Sequence, residues 1–441
     1  VINISSEYTF DKNIRGRAIL AGLDVYQRGE RISHEDSLNE LKELAGAASI
    51  EVVDIITQSR EKMESSTYMG KGKIEEIRDQ AIRKNADMVI FDDELSGIQI
   101  RNLERIIGVE IIDRTSLILD IFGHRAKSKE GKLQVELAML KYQKPRLIGL
   151  GGDLSRTGAG IGTRGLGETK LELDRRVISK RISDIEKELE EVKKQREVQR
   201  KQRKRTSIPT VALVGYTNAG KSTIMNHLMQ MEEEEDTRTK SFVKDMLFAT
   251  LDPFHRKIKL EDNLEFILID TVGFVSKLPH DLVESFKSTL EEVEEASLLL
   301  YVVDISREDY KHQLKVTRNV VEELNVKDTP YLVVFNKIDK LSSEELEKTG
   351  DIFEKSVYIS AIEGEGIGEL LKEIEKEIFK TSKEVTLLIP FSRGDISSYI
   401  LASTRVMQQE YTEKGLLVTA FLKPEDLEKY RQFIIEDEKK D

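Results

Sequence analysis

The stretch "VALVGYTNAGKS", residues 211–222, decides the fold. Val211 to Val214 is a short apolar run that predicts a buried strand, and a helix is expected after Ser222. Between them, Gly215-x-x-x-x-Gly220-Lys221-Ser222 has the spacing of a phosphate-binding loop. Glycines let backbone N–H groups turn inward around phosphates, which makes Gly215, Tyr216, Thr217, Asn218, Ala219 and Gly220 candidate contacts. Lys221 is placed to reach the β- and γ-phosphates, the Ser222 hydroxyl is a candidate Mg²⁺ ligand, and Thr223 closes the set. Strand, glycine loop and helix in this order belong to a mainly parallel α/β sheet.

Three clusters further along fit the same site. In "ILIDTVGF", residues 267–274, Asp270 and Gly273 follow an apolar strand. Asp270 can hold Mg²⁺ through water, and the Gly273 N–H can meet a γ-phosphate. "NKID", Asn336 to Asp339, follows the apolar run "YLVVF", and Lys337 sits inside it. The Asp339 carboxylate can accept both N1–H and N2–H₂ of guanine, a donor pair that adenine lacks. "SAI", Ser360, Ala361 and Ile362, can turn a backbone N–H toward guanine O6. The order points to GTP and GDP rather than ATP. Thr250, in "LFATLDP", lies where a switch threonine reaches Mg²⁺ and the γ-phosphate. Lys221, Thr250 and Gly273 are thus the groups expected at the reacting phosphate. Phe274 stands where a Ras-like pattern places the glutamine that orients water. Turnover is therefore expected to be slow until a partner completes the site, unless another residue substitutes.

Around this core the pattern divides the 441 residues into four parts. Residues 1–115 alternate strand-like segments (17–25, 50–58, 86–93, 109–115) with helix-like ones (37–48, 70–85, 98–108), which predicts an N-terminal α/β domain. Residues 116–206 predict an antiparallel helical hairpin. Its first arm, 116–143, reads as one long or broken helix, and its tip, 149–167, holds 8 glycines in 19 residues. The second arm runs from about Glu168 to Arg205. Ile178, Ile182, Ile185, Leu189 and Val192 recur there at coiled-coil steps, against Leu133, Leu137 and Leu140 of the first arm. Residues 207–381 form the nucleotide-binding domain. Residues 382–441 predict a small α/β domain, with strands at 385–390 and 416–422 and helices near Ile396–Val406 and from Pro424.

The net charge is −12, yet residues 124–205 carry 23 Lys and Arg against 12 Asp and Glu. A basic segment in an acidic chain suggests a local polyanion contact, although a solvated charged helix has the same composition. Arg156 and Arg164, in the glycine-rich tip, are candidate RNA contacts. With no cysteine, neither disulfides nor thiolate metal sites are possible. The first residues lack a basic start followed by an apolar run. The longest apolar stretch, near Leu298–Val303, is far below the roughly 20 residues of a membrane span. A monomeric cytoplasmic protein is expected.

At this point the sequence resembles the HflX family of ribosome-associated GTPases. The resemblance rests on "TYMGKGKIEEI" (67–77), "LILDIFGHRAKSKEGKLQVELAMLKYQKPRL" (117–147), "GTRGLGETKLELDRR" (162–176), "GYTNAGKS", "LFATLDP", "DTVGF" and "NKID". It departs from the family at Leu166, Phe254 and His255. The resemblance implies binding to the large ribosomal subunit and its rRNA, with the hairpin reaching toward the peptidyl transferase centre. It further implies splitting of stalled or idle ribosomes under stress. Asn218 resembles the loop asparagine of cation-dependent GTPases, which leaves open whether it holds K⁺ or only braces the loop. Two other readings stay open. One is an ATP-using RNA remodeller built on Gly160-x-Gly162-x-x-Gly165, which follows a glycine coil rather than a strand. The other is a scaffold whose coiled coil binds a protein.

Overall fold

The computed structural model describes residues 15–25, 34–146, 166–205, 208–233, 254–260, 264–277, 292–323, 326, 329–348, 355–380 and 382–435. They fall into two compact units. The first gathers the described residues up to 195 together with 273–277; the second holds the rest.

In the first unit, β1 (Gly16–Val25), β2 (Ile50–Arg60), β3 (Met88–Phe91) and β4 (Glu110–Asp113) form a parallel sheet in the order β2-β1-β3-β4. β1 and β3 are central, and their apolar runs are buried on both faces, as a sheet covered by helices requires. The covering helices are α1 (His34–Ala47), α2 (Lys71–Lys84) and α3 (Gly97–Ile107). α3 starts at a capping box between Ser96 and Gln99 and stops at Gly108, whose φ of 85° suits glycine.

The segment expected as one long or broken helix is broken. α4 (Arg114–Arg125) ends at Ala126, and α5 (Lys129–Arg146) begins after Ser128, whose hydroxyl accepts the Gly131 N–H at 2.8 Å. A serine cap restarts the helix after a three-residue break. α6 (Leu166–Arg205) is 40 residues long, about 60 Å at helical rise. Leu133 and Leu137 of α5 pack on Ile178, Ile182 and Ile185 of α6, flanked by Leu140 and Leu189. Val192 is half-buried but outside that cluster, so the seam ends one step earlier than its spacing suggested. Arg181 holds Glu136 across the pair with two hydrogen bonds of 2.7 and 2.8 Å. The glycine-rich tip lies outside the described residues.

In the second unit, β5 (Thr210–Gly215), β6 (Phe254–Lys259), β7 (Glu265–Asp270), β8 (Leu298–Asp304), β9 (Tyr331–Asn336) and β10 (Ser356–Ile359) form a sheet in the order β10-β9-β8-β5-β7-β6. Only β6 runs antiparallel. α7 (Lys221–Glu233), α8 (Tyr310–Glu323), α9 (Ser343–Lys348) and α10 (Ile367–Phe379) accompany it. Val211, Leu213, Leu268, Leu300, Val334 and Ile374 belong to one buried core. After α10 the chain forms β11 (Lys383–Ile389), α11 (Gly394–Ser403), β12 (Arg405–Thr412), β13 (Gly415–Leu422), α12 (Pro424–Lys429) and β14 (Ile434–Ile435). These strands make an antiparallel sheet in the order β12-β13-β11-β14. The helix expected to continue to Val406 stops at Ser403, because Arg405 already pairs with Phe421. Among the described residues no helix is long and apolar enough to cross a membrane.

Candidate functional site

The six-stranded sheet reverses its winding direction around β5, and crevices outside the carboxyl ends of strands at such a point bind ligands. The motif residues sit there. Gly215 ends β5, Asp270 ends β7, Asn336 ends β9, and Ser360 follows β10. Each of these apolar strands thus delivers one motif residue to the same edge.

The loop 216–220 joins β5 to α7, and its backbone explains its glycines. A Cβ on Gly215 would lie 2.3 Å from the Val302 carbonyl oxygen. One on Gly220, whose φ is +98°, would lie 2.0 Å from Asn336 Nδ2. Neither place admits a side chain. Asn218 is exposed with a φ of 62°, a left-handed conformation that asparagine tolerates. Lys221 is buried and donates to the Gly215 and Tyr216 carbonyl oxygens at 2.9 and 2.8 Å. Burial lowers its pKa from 10.5 to about 8, an effect the Asp270 carboxylate partly opposes. Tyr216, Thr217 and Ala219 are buried beside it, and Thr223 is half-buried in the first turn of α7.

Ser222 Oγ donates to Asp270 Oδ2 at 2.7 Å. A hydroxyl and a carboxylate side by side are the hard oxygen donors that suit Mg²⁺, which keeps several waters and completes its shell with phosphate oxygens. The neighbouring Thr271 hydroxyl donates to the Leu213 carbonyl at 2.6 Å and ties the end of β7 to β5. Gly273 is buried two residues beyond Thr271 in the chain, in the segment that belongs to the first unit. Phe274 is 2% exposed, so it offers no polar group where glutamine would act.

At the other end of the edge, Asn336 connects three segments. Its Nδ2 donates to the Ala219 carbonyl at 2.9 Å, and its Oδ1 accepts the Ala361 N–H at 3.0 Å. That Ala361 amide is therefore engaged within the protein. Ile362, the next residue, is exposed. Asp339 is exposed, and its Oδ1 accepts the Ser360 hydroxyl at 2.6 Å. Lys337 adopts a φ of 69°, and its ammonium pairs with Asp304 at 2.8 Å. The geometry thus places the phosphate loop, the Ser222–Asp270 pair and the Asp339 loop along one sheet edge. Asp304, which pairs with Lys337, was missed because it ends β8 outside any quoted motif, and Thr271 was passed over inside one because its partner is a carbonyl on another strand. Thr250, Arg156, Arg164 and Gly160 to Gly165 lie outside the described residues.

Family models match three successive regions. They are described as a GTP-binding GTPase N-terminal region at residues 35–123, a GTP-binding GTPase middle region at 125–203 and a 50S ribosome-binding GTPase at 210–337. A GTPase HflX from Caldanaerobacter subterraneus subsp. tengcongensis is 51% identical, covering 91% of this chain and 91% of that one. GTPase HflX from Escherichia coli K12 is 40% identical over 86% of this chain and 88% of its own length. A solved GTP-binding protein of the archaeon Sulfolobus solfataricus in complex with GDP is 23% identical. It covers 82% of this chain and 99% of that one at a TM-score of 0.43.

Proposed function

Because the chain belongs to the HflX family of GTPases, we propose that it is a GTP-driven factor that binds the large ribosomal subunit and splits or rescues stalled or idle ribosomes under stress in the cytoplasm. The observation that carries the nucleotide half is the convergence of Lys221, Ser222–Asp270 and Asp339 along one sheet edge. The 50S ribosome-binding GTPase model over residues 210–337 and the basic composition of the hairpin support the ribosomal half.

In the reaction, the amides of 215–220 and the Lys221 ammonium hold the β- and γ-phosphates. Asp339 accepts the two guanine donors, while Ser360, Ala361 and Ile362 line the far side of the base. Ser222, Thr250 and Asp270 are the residues that would hold Mg²⁺, which when bound would offset the negative charge of the phosphates. The Gly273 N–H is the group we assign to the γ-phosphate. Asn218 either contributes to a K⁺ site or braces the loop. Catalysis here is positioning and electrostatics, and Phe274 supplies neither to the attacking water. Hydrolysis is accordingly slow in isolation and rises on the subunit.

Co-sedimentation with purified large subunits tests this directly. Protein bound to a non-hydrolysable GTP analogue should pellet with subunits, and GDP-bound protein should pellet less. Arg156→Ala with Arg164→Ala should weaken that binding and flatten its salt dependence while leaving nucleotide affinity intact. Equal GTP turnover with and without subunits, together with no pelleting, would defeat the ribosomal reading.

A further inference from the structure

A buried ion pair within the second unit joins the end of β8 to the turn that carries Asp339. Asp304 is the last residue of β8 and lies in register with Asn336, the last residue of β9. The Ile305 N–H donates to the Asn336 carbonyl at 3.1 Å, which ties the two strand ends together. The Asp304 carboxylate is itself fixed. Its Oδ1 accepts the Ser306 N–H at 3.1 Å and the Ser306 hydroxyl at 2.6 Å. Its Oδ2 meets Lys337 Nζ at 2.8 Å, and both residues are buried.

Lys337 needs this partner on two counts. An ammonium withdrawn from water is costly unless an opposite charge meets it. Lys337 also holds a φ of 69° and a ψ of 37°, a left-handed conformation that a lysine keeps only when its surroundings impose it. From there the chain enters a single 3₁₀ turn, Ile338–Lys340, and the Lys337 carbonyl accepts the Lys340 N–H at 3.1 Å. Asp339 is the middle residue of that turn. The backbone angles of Lys337 therefore set the direction in which Asp339 leaves the sheet edge. Asp339 lies two residues on, at a reach of about 7 Å, so a rotation of about 20° at Lys337 moves it by about 2 Å. A hydrogen bond tolerates a few tenths of an ångström.

We infer that Asp304 is a positioning residue for base recognition: by holding Lys337 it fixes the turn that aims Asp339 at guanine, without touching the nucleotide itself. The inference rests on the role given to Asp339 above. Asp339 accepts two guanine donors, N1–H and N2–H₂, and inosine keeps only the first. A displaced Asp339 therefore weakens a guanine nucleotide more than an inosine one, whereas a disturbed phosphate loop weakens both alike.

The test is competition binding of GDP, inosine diphosphate and xanthosine diphosphate to the full chain. The wild-type protein should prefer GDP over inosine diphosphate about ten- to hundredfold, the worth of one hydrogen bond to a charged acceptor. Asp304→Asn keeps the size of the side chain and an acceptor for Ser306 but removes the charge. It should weaken GDP about tenfold and inosine diphosphate about threefold, so the preference narrows about threefold. Lys337→Met should narrow it as well. The Asp304→Asn/Lys337→Met double variant should narrow it no further than the larger single effect, because both changes break one pair. The double variant leaves no buried charge alone, so it carries the test if Asp304→Asn fails to fold, and its preference must then be narrowed. A preference kept at its wild-type value in a folded variant, or additive narrowing, would overturn the inference. Asp339→Asn separates the two layers. If it moves the preference to xanthosine diphosphate while Asp304→Asn changes no ratio, the positioning role alone is wrong. If it leaves the preference for GDP intact, the role of Asp339 is wrong.

Discussion

The buried ammonium of Lys221 predicts that nucleotide affinity falls steeply as pH rises from 7 to 9. Burial lowers its pKa from 10.5 to about 8, and two backbone carbonyls are its hydrogen-bond acceptors. At about 1.4 kcal/mol for each pH unit between those values, keeping this charge costs about 3 kcal/mol in the free protein. Phosphate oxygens remove that cost, so bound nucleotide raises the pKa again. In the free protein the charged fraction is about nine-tenths at pH 7 and about one-tenth at pH 9. If only the charged form binds phosphate well, affinity for GDP drops about tenfold over that interval, or about 1.4 kcal/mol. Binding at pH 9 should take up close to one proton, measurable by calorimetry in two buffers of different ionisation enthalpy. The sign for stability is the reverse. Between pH 8 and 10.5 the unfolded chain binds more protons at this site than the folded one, so folding stability from this group rises with pH. Lys221→Met is the control. It binds more weakly throughout, and any pH dependence it keeps belongs to the nucleotide or to other groups. An affinity that is flat from pH 7 to 9, or a drop of equal size in Lys221→Met, would refute the argument.

Asp339→Asn removes the acceptor for two guanine donors and should cost about 2–3 kcal/mol of GTP affinity. The variant should gain affinity for xanthosine nucleotides; competition binding decides, and wild-type GTP affinity in the variant would refute the assignment. Gly220→Ala should lose about 1–3 kcal/mol of stability in denaturant unfolding, because its φ is +98° and a Cβ would meet Asn336. Its nucleotide affinity should fall as the phosphate loop shifts. Replacing KCl by NaCl at fixed ionic strength should slow hydrolysis if Asn218 holds K⁺; an unchanged rate assigns Asn218 to bracing the loop.

The placement of the candidate nucleotide-site residues was largely legible because their contacts are local. A strand delivers Gly215 and the next helix delivers Lys221 and Ser222, so spacing alone carries the geometry. The same holds for Asn336 and Asp339 within one turn. Elements whose existence depends on a distant partner were not legible. β12, "RVMQQEYT", has no alternating apolar pattern, and its five residues from Met407 to Tyr411 are exposed. It is a strand because a tight turn at Glu413–Lys414 returns it along β13, so pairing rather than burial fixes it. The sequence left one long helix and a broken one both open over 116–143, and the Ser128 cap settles it as broken. The α5–α6 seam ends at Leu189 rather than at Val192, a limit that α6's own period does not mark.

The buried ion pairs of the first unit show the same limit with charges in place of strands. In sequence, Glu40 looks like a residue on a helix surface and Asp92 like the polar end of a strand. Nothing local marks either for burial, and a lone buried carboxylate would cost several kcal/mol. Arg114 supplies one compensating charge from the start of α4, and Lys277 supplies another from 185 residues away. The burial of Asp92 therefore depends on a residue whose own role is invisible until the fold brings it there. A short motif is legible when its ligand is a phosphate held by successive amides of one loop. It is not legible when its ligand is another part of the same chain, because sequence spacing then carries no distance.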